Sequence, residues 1–321
     1  MADLRWSRLA GIVVGYLADV LFGDPQRGHP VAGFGRCAAV GEALIYRDGR
    51  AAGTVHTAVL IGGLAGVGVL GQRAAGRGPG LVALTAAATW VALGGTTLAR
   101  TGAGMADLLE AGDIAGARQL LPSLCGRDPA ALDSDGLVRA ACESVAENTS
   151  DAQVAPLLWA ACAGVPGVLV YRGINTLDAM VGNRSPRYHR FGWAAARLDD
   201  LVNFAAARAT AAITVVCAPL IGGSPVGALR AWWRDAGRHP SPNAGVVEAA
   251  FAGALGVRLG GPTQYRHELE NRPTLGDGVR PGVSDLRRAV RLSRLVQLGA
   301  LTAAVAISAA GRTDRRVSLR R

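Results

Sequence analysis

The stretch AAGTVHTAVLIGGLAGVGVLGQ, residues 51–72, runs for 22 residues without an Asp, Glu, Lys or Arg side chain. After a short basic interruption, the stretch GPGLVALTAAATWVALGGTTLA at residues 78–99 has the same length and the same lack of charge. A helix that crosses the apolar core of a bilayer needs about 20 predominantly apolar residues. These two stretches therefore predict membrane-spanning helices.

Further apolar segments are candidates for membrane insertion: 9–22, 152–171, 209–229 and 295–311. The first of them contains Asp19 within its apolar run. Segment 152–171 contains two prolines and Gly164. That composition predicts a segment that is broken, re-entrant or buried in protein, because a helix break exposed to lipid would leave backbone groups without partners.

The chain between these segments is polar, over residues 23–50, 100–151, 172–208 and 230–294. Segment 100–151 has the apolar periodicity of amphipathic helices, and no part of the chain has the clean alternation of a β-strand. We therefore predict a single domain over residues 1–321. Its fold class is all-α: a polytopic helical integral membrane protein with about four to five membrane segments and helical cytoplasmic loops.

Composition supports a membrane protein and excludes several other classes. Only 18% of the residues are charged, against about 25% in a typical soluble protein. The net charge is +10, but aromatic residues make up only 5% of the chain, so few rings could stack on bases and nucleic-acid binding is not expected. Arginines near apolar segments instead fit anionic lipid headgroups. The sequence has no lysine, which excludes a P-loop lysine, a Schiff base and a pyridoxal phosphate linkage. Its five cysteines show no CxxC or CxxH spacing, so neither a zinc site nor a disulfide framework is expected.

Glycine is frequent, at 44 residues. The pairs Gly11/Gly15 and Gly62/Gly66 have the small-xxx-small spacing that lets membrane helices approach closely. A chain this rich in glycine also forms such pairs by chance. Both pairs are therefore candidates for close helix packing.

The segment ESVAENTSD, residues 143–151, places Glu143, Glu147 and Asp151 four positions apart. Residues at this spacing share one face of a helix, and Asn148 adds a carboxamide beside them. The alternative is a solvated acidic face, with Arg139 neutralising Glu143. Stacked like charges at the edge of an apolar segment favour a bound cation, and Mg²⁺ takes one or two carboxylates together with phosphate oxygens and water.

The segment from residue 171 to 204 interleaves arginines with Asn and Asp. Arginine binds phosphate and carboxylate groups through a planar fork of donors, so the segment predicts an anion-binding surface. Basic residues in a cytoplasmic loop would explain the arginines alone, but not the Asn and Asp residues among them. The candidate residues here are Arg172, Asn175, Asp178, Arg184, Arg187, Arg197, Asp199, Asp200 and Asn203.

Two shorter segments add candidates. SPNAG at residues 241–245 predicts a turn before a helix, with Ser241, Asn243 and Glu248 as candidate binding residues and Gly260-Gly261-Pro262 as the end of that helix. Near the N-terminus, Asp24 and His29 are candidates for proton transfer. The alternative for His29 is a structural imidazole.

In this order the motifs closely resemble the CobD/CbiB family of cobalamin biosynthesis. The resemblance runs from about residue 15 to residue 280. It rests on GDP at 23–25 with HPV at 29–31, ESVAENTSD at 143–151 with VAPLLW at 154–159, NTLDAMVG at 175–182, ARLDDLVN at 196–203, SPNAG at 241–245 and EAAFAGALGVRLGGP at 248–262.

The resemblance implies a multi-pass protein of the cell (inner) membrane that acts as an adenosylcobinamide-phosphate synthase. Such an enzyme would join aminopropanol, or its phosphate, to a carboxylate of adenosylcobyric acid, with ATP as co-substrate and Mg²⁺ as cofactor. Which of the two acceptors is used stays open. The expected partners are these small molecules and membrane lipid, with other late cobalamin enzymes as a further option.

Roles follow for the candidates. We predict that Glu143, Glu147 and Asp151 hold Mg²⁺ and are catalytic, with Asp199 and Asp200 as alternative ligands. Asp24 or His29 would take the proton of the attacking ammonium group. The remaining candidates, from Asn148 to Glu248, would bind substrate, with Arg184, Arg187 and Arg197 neutralising phosphates or the substrate carboxylate.

Membrane topology limits this assignment. If every motif-bearing segment faces the cytoplasm, where ATP is found, the apolar segments cannot all be full crossings. Segment 152–171 is our preferred non-spanning segment, and 209–229 is the other candidate. Two rival functions are a corrinoid transporter and a non-catalytic scaffold, because polar residues beside membrane segments also mark transport paths.

Overall fold

The computed structural model describes residues 2–25, 28–183, 185–264 and 269–310. Within these ranges the chain forms twelve α-helices and one antiparallel hairpin. The helices are α1 Ala2–Phe22, α2 Pro30–Ile45, α3 Arg50–Ala75, α4 Pro79–Ala92, α5 Gly95–Glu110, α6 Ile114–Leu120, α7 Ser134–Thr149, α8 Ala155–Val181, α9 Trp193–Cys217, α10 Pro225–Asp235, α11 Ala244–Leu255 and α12 Val283–Ala310. The strands are β1 Leu259–Gln264 and β2 Leu269–Leu275.

Five helical stretches in the described part of the chain are long and apolar enough to cross a membrane. They are Arg50–Ala75, Pro79–Glu110, Ser134–Val181, Trp193–Ile221 and Val283–Ala310. The prediction of an all-α polytopic membrane protein is therefore confirmed. Helix α1 covers the predicted segment 9–22 but is not among the five.

The segments that we expected not to span the membrane fall within these stretches. Segment 152–171 lies inside Ser134–Val181, and residues 209–221 of segment 209–229 lie inside Trp193–Ile221. Length and apolar composition therefore count against treating either segment as non-spanning. The predicted break within 152–171 is confirmed, because Gly164 has a non-helical φ of 67° inside α8.

Side chains from neighbouring helices bind the backbone at this break. The Gln72 side-chain oxygen of α3 accepts a hydrogen bond from the Val165 N–H at 3.3 Å. Arg8 of α1 donates from Nη1 to the Ala161 carbonyl at 3.2 Å. A break inside an apolar helix is stable only where the freed backbone groups find partners, and these two side chains supply them.

The hairpin corrects the prediction of a chain without strands. Helix α11 ends at Leu255 with Gly256 in the left-handed conformation, before the predicted end at Gly260–Pro262. Those residues instead lie in β1, where Gly260 and Gly261 have φ values of 81° and 92°. Sequence pattern missed β1 because its glycines and proline interrupt the alternation that identifies a strand.

Small residues let the helices pack closely. Gly11 and Gly15 of α1 face α4, where an added Cβ would lie 2.5 Å from the Thr85 Cβ and 2.7 Å from the Ala86 carbonyl oxygen, respectively. This predicted pair is therefore a close contact. The pair Gly62/Gly66 has no atom within 4 Å of its added Cβ positions, so its spacing does not mark packing among the described residues. Helix α12 packs against α1, α5, α7, α8 and α9 and so joins the N- and C-terminal parts of the core.

Candidate functional site

A small polar cavity of about 40 Å³ lies where α7, α9 and the start of α11 meet. Polar residues from three of the sequence motifs line it: Glu147, Asp151, Asp199, Asn203, Ser241 and Asn243. All six were predicted as site residues. The fold therefore brings together segments that are nearly 100 positions apart in the chain.

Four carboxylates at and beside this cavity form what we call the acidic cluster: Glu147, Asp151, Asp178 and Asp199. The charge of Asp151 interacts with those of the other three. Asn175 Nδ2 donates to Asp151 Oδ2 at 3.4 Å. The Asp199 carboxylate has an oxygen atom without a hydrogen bond, since its Oδ1 is buried and has no hydrogen-bond partner among the described residues. Like charges held this close favour a cationic ligand.

A change in helix geometry positions Asp151. Helix α7 ends at Thr149, and residues Ser150–Val154 form a π-helical turn before α8 begins. Such turns often occur at functional sites, because they widen the helix and shift side chains around its axis. The Tyr171 hydroxyl lies 2.8 Å from the Asp151 carbonyl oxygen and 2.9 Å from Asn203 Oδ1, which ties this turn to α9.

Asn203 in turn fixes one member of the acidic cluster. Its Nδ2 donates to Asp199 Oδ2 at 3.0 Å, one helical turn away on α9. Two of the predicted site residues, Asp199 and Asn203, are therefore direct partners on one face of α9. Tyr171 was not predicted, although it directly precedes the candidate Arg172, and only the contact between α8 and α9 reveals its role.

The turn before α11 closes the cavity from the other side. Asn243 Nδ2 donates to the Asp200 carbonyl at 2.8 Å, and Arg208 Nη1 donates to Asn243 Oδ1 at 2.8 Å. Ser241 Oγ accepts the Ala244 N–H at 3.1 Å, which orders the start of the helix. Ser241 and Asn243 therefore hold the turn in place beside the acidic cluster. Arg208 was missed because nothing in its own segment pairs it with Asn243.

The N-terminal motif lies near the same site. Arg172 Nη1 donates to Asn175 Oδ1 at 3.3 Å, and Asn175 contacts Asp151. Arg172 and Asp24 are both close enough to His29 to act on its charge. Asp24 Oδ1 is buried and has no hydrogen-bond partner in the described part of the chain. One carboxylate oxygen of Asp24 is thus without a hydrogen bond from any described residue, in a motif whose His29 lies near Arg172.

The His29 side chain is hydrogen-bonded to the backbone. Its Nδ1 accepts the Val31 N–H at 3.1 Å and caps the start of α2. Burial, together with the nearby positive charge of Arg172, lowers the pKa of His29, against the opposite influence of Asp24. A neutral imidazole that accepts at Nδ1 carries its proton on Nε2. His29 is therefore a cap and a donor, and it can take up a proton only by giving up the cap.

Glu143 is separated from Glu147 and Asp151. Its buried carboxylate pairs with Arg127 and accepts the Gly260 N–H at 2.6 Å. Arg139, which the alternative of a solvated acidic face paired with Glu143, instead donates to the Gly260 and Pro262 carbonyl oxygens. Within the described ranges no group of three or more His, Cys, Asp or Glu side chains could hold one metal ion. The predicted three-carboxylate metal site is therefore not formed in this arrangement.

The Asn148 side chain is hydrogen-bonded within its own helix. Its Nδ2 donates to the carbonyl and the hydroxyl oxygen of Ser144 in its own helix.

Glu248 is fully buried beside the ion pair that Glu143 forms with Arg127, and its Oε1 lies 3.8 Å from Arg272 Nη1. Burial first, and then the charges of Glu143 and Glu147, raise the pKa of Glu248 well above its ordinary value of 4.5.

The predicted arginine surface is not assembled around the acidic cluster. Arg187 donates to Glu42 at 2.8 Å and lies over the Tyr46 ring, 4.1 Å from its centroid, near α2. Arg197 is 68% exposed and pairs with Asp200 at 3.5 Å. Arg184 lies outside the described residues. Of the predicted arginines that are described, Arg172 is the one that reaches the cluster through Asn175.

The carboxylates of the acidic cluster are suited to binding a cation. A pair of carboxylates with open oxygens can bind Mg²⁺ together with the phosphate groups of a ligand. The same charges can bind the ammonium group of an amine. The neighbouring amides of Asn175 and Asn203 donate to carboxylates, and so they fix the directions in which the free oxygens point.

Comparison with known proteins identifies the family. The model of the CobD/Cbib protein family matches residues 12–293. Relatives named "Cobalamin biosynthesis protein CobD" include a Mycobacterium bovis protein, 67% identical over 95% of this chain and 97% of its own length, and a Geobacter metallireducens protein, 41% identical over 85% of this chain and 87% of its own length. The Mycobacterium tuberculosis protein of that name is 67% identical over 93% of this chain and 95% of its own length. No solved structure matches. The extent of the family match and these identities show that the chain belongs to the CobD/CbiB family of cobalamin biosynthesis.

Proposed function

We propose that this protein is an adenosylcobinamide-phosphate synthase. It would form an amide bond between a carboxylate of adenosylcobyric acid and the amine of aminopropanol or of its phosphate, with ATP as co-substrate. One observation carries the proposal: Glu147, Asp151, Asp199, Asn203 and Asn243, from three separate motifs, surround one polar cavity. Family membership supports the pathway, and the cavity supports a reaction that needs a bound cation.

The chemistry sets what the site must do. A carboxylate is a poor electrophile, so we propose that its oxygen attacks the γ-phosphorus of ATP, which gives an acyl phosphate and ADP. The amine nitrogen then attacks the acyl carbon, the C–N bond forms, and inorganic phosphate leaves with the C–O bond electrons. The amine loses its protons to a base. Phosphoryl transfer of this kind depends mostly on positioning and charge neutralisation.

The residues present fit Mg²⁺ in a reduced form of the predicted set. One or two members of the acidic cluster suffice when phosphate oxygens and water complete the octahedral shell. Asp199 supports this choice, because its buried Oδ1 has no partner among the described residues. Bound Mg²⁺ would supply neutralisation of the phosphate charge. We therefore retain Glu147, Asp151 and Asp199 as ligand candidates and assign Glu143 to structure.

Asp24 is the stronger candidate for the base. Its Oδ1 lacks a hydrogen bond among the residues described, whereas His29 Nδ1 is occupied by the Val31 N–H. This carboxylate, near His29, would take the proton of the substrate ammonium, while Arg172 and Asn175 are held together by their own hydrogen bond. His29 would donate from Nε2 to a substrate oxygen. We place the protein in the cell (inner) membrane, with this site facing the cytoplasm and its ATP.

The test is a reconstituted reaction. Full-length protein in detergent receives ATP, Mg²⁺, adenosylcobyric acid and either aminopropanol or its phosphate. We expect an amide product with one ADP released per bond, and the faster acceptor identifies the natural substrate. Absence of product in both mixtures, combined with corrinoid uptake into vesicles that contain the protein, would contradict the proposal and favour a transporter.

A further inference from the structure

A second cavity lies at the other end of α7. It has a volume of about 380 Å³, and its lining includes Asp133, Arg139, Arg258, Gly260, Thr274 and Arg280. None of the residues that line it also lines the cavity of the acidic cluster. On α7, Arg139 precedes Glu147 by eight residues, which corresponds to about 12 Å along the helix axis. The buried Glu143 lies between the two positions.

The charged side chains that line this cavity are mainly positive, and some of them have weak ion-pair partners or none among the described residues. Three arginines line it against two aspartates, Asp133 and Asp135. Asp133 is used as the cap of α7, where its Oδ1 accepts the Gly136 N–H at 2.8 Å. Asp135 and Arg280 are 3.9 Å apart and largely exposed, so their attraction is weak. Among the residues that the structure describes, none pairs with the exposed Arg258 side chain through a hydrogen bond or an ion pair.

Backbone geometry holds Arg139 at the cavity wall. Its guanidinium donates to the carbonyl oxygens of Gly260 and Pro262 on β1. Gly261 has a φ of 92°, and a Cβ added there would lie 2.9 Å from Arg139 Nη1. The hairpin therefore needs glycine at this position for the arginine to approach. A guanidinium fixed in this way binds an anion at a lower entropic cost than a mobile one.

We propose that this cavity binds the phosphate group of a small, soluble organic phosphate. Its volume lies within the range of about 300–1,000 Å³ that is typical of small-molecule sites. Arginine recognises phosphate with paired N–H donors. Arg258 and Arg280 lie at the exposed side and Arg139 is fixed at the wall. The inference deepens the proposed function, since ATP and aminopropanol phosphate both carry such a group, but its test requires no turnover.

The experiment measures binding of radiolabelled ADP to the full-length protein in detergent. EDTA is present, so that binding through a metal at the acidic cluster is suppressed. We expect saturable binding that inorganic phosphate competes away. Arg258→Gln should raise the Kd about tenfold, the loss expected for one charge-assisted hydrogen bond. Arg77→Gln is the matched control, because Arg77 is exposed and lines none of the cavities described here; it should bind ADP as the wild type does.

The possible outcomes separate clearly. Wild-type affinity in Arg258→Gln, or no saturable binding of ADP or phosphate, would overturn the inference. Saturable, Arg258-dependent binding of short-chain phosphatidylglycerol, without binding of ADP or phosphate, would overturn the assignment to a soluble ligand. Arg258-dependent ADP binding by a protein that forms no amide would support this site and contradict the proposed function alone.

Discussion

Glu143 and Arg127 form a buried ion pair whose loss should destabilise the fold. Both side chains are almost fully buried, and Glu143 also accepts the Gly260 N–H. Glu143→Ala leaves Arg127 charged and unpaired, a change that costs about 3–5 kcal/mol. We expect a large fall in the free energy of unfolding, measured by denaturation in detergent.

The control for this prediction replaces both partners. Arg127→Met combined with Glu143→Leu removes the two charges together, so it should cost less than the single Glu143→Ala. If the single variant is as stable as the wild type, the ion pair does not stabilise the fold.

Glu248 should make stability fall as pH rises. Its pKa is raised in the fold by burial and by the charges of Glu143 and Glu147. The protonated carboxyl therefore contributes stability that is fully present below about pH 4.5, the ordinary value. That contribution is lost as pH rises through the folded pKa, because the unfolded chain releases the proton first.

Glu248→Gln tests this sign. The variant keeps the shape and removes the titration, so its stability should depend less on pH above 4.5, and it should be relatively more stable than the wild type at the alkaline end. The melting temperature in detergent across the pH range measures it. An unchanged pH profile in the variant would show that Glu248 does not titrate in this way.

At the residue scale, spacing predicted which side chains share a face but not which of them are partners. Glu147 and Asp151 line one cavity as their spacing predicted. Glu143, one turn earlier, pairs with Arg127 from a loop and with the backbone of β1. Those contacts are set by tertiary packing, and helical periodicity carries no information about tertiary packing.

At the element scale, the break in α8 is the feature most open to test. Gly164 has a φ of 67°, and an added Cβ would lie 2.7 Å from the Gln72 side-chain oxygen. Gly164→Ala therefore costs the left-handed backbone strain of about 1 kcal/mol or more, and it also displaces the side chain that binds the Val165 N–H. We expect a lower melting temperature in detergent.

Gly62→Ala is the matched control for the break. Gly62 is helical, in α3, and has no atom within 4 Å of an added Cβ. Alanine is the better helix former by about 1 kcal/mol, so this variant should be as stable as the wild type or more so. Equal melting temperatures for Gly164→Ala and the wild type would mean that the break carries no strain.

Sequence reasoning was reliable for the long apolar elements and unreliable for the short polar ones. Segment 51–72 became α3 because length and lack of charge leave few alternatives in a membrane. The two prolines and Gly164 correctly predicted a break in α8. The β1–β2 hairpin was missed, since its Gly-Gly-Pro sequence is typical of a turn and its partner strand lies beyond the next few residues.

At the scale of the whole molecule, the motifs of the family resemblance become neighbours in space. Asp151 from ESVAENTSD, Asn203 from ARLDDLVN and Asn243 from SPNAG line one cavity, and both Asp24 and Arg172 lie close to His29. The order of motifs in the sequence predicted membership of the family. It could not predict that Arg187 would turn to Glu42, away from the acidic cluster.

We propose that amide formation takes place at the acidic cluster. The decisive measurement is the rate of amide formation by Glu147→Gln against the wild type, in detergent with saturating ATP and Mg²⁺. Glu110→Gln is the control, because it makes the same Glu-to-Gln change at an exposed side chain. Glu110 forms an ion pair with Arg287. We expect Glu147→Gln to lose about 100-fold or more of the rate while keeping the wild-type melting temperature, and Glu110→Gln to keep the wild-type rate. A wild-type rate and Mg²⁺ dependence in Glu147→Gln would show that the acidic cluster is not the site of amide formation.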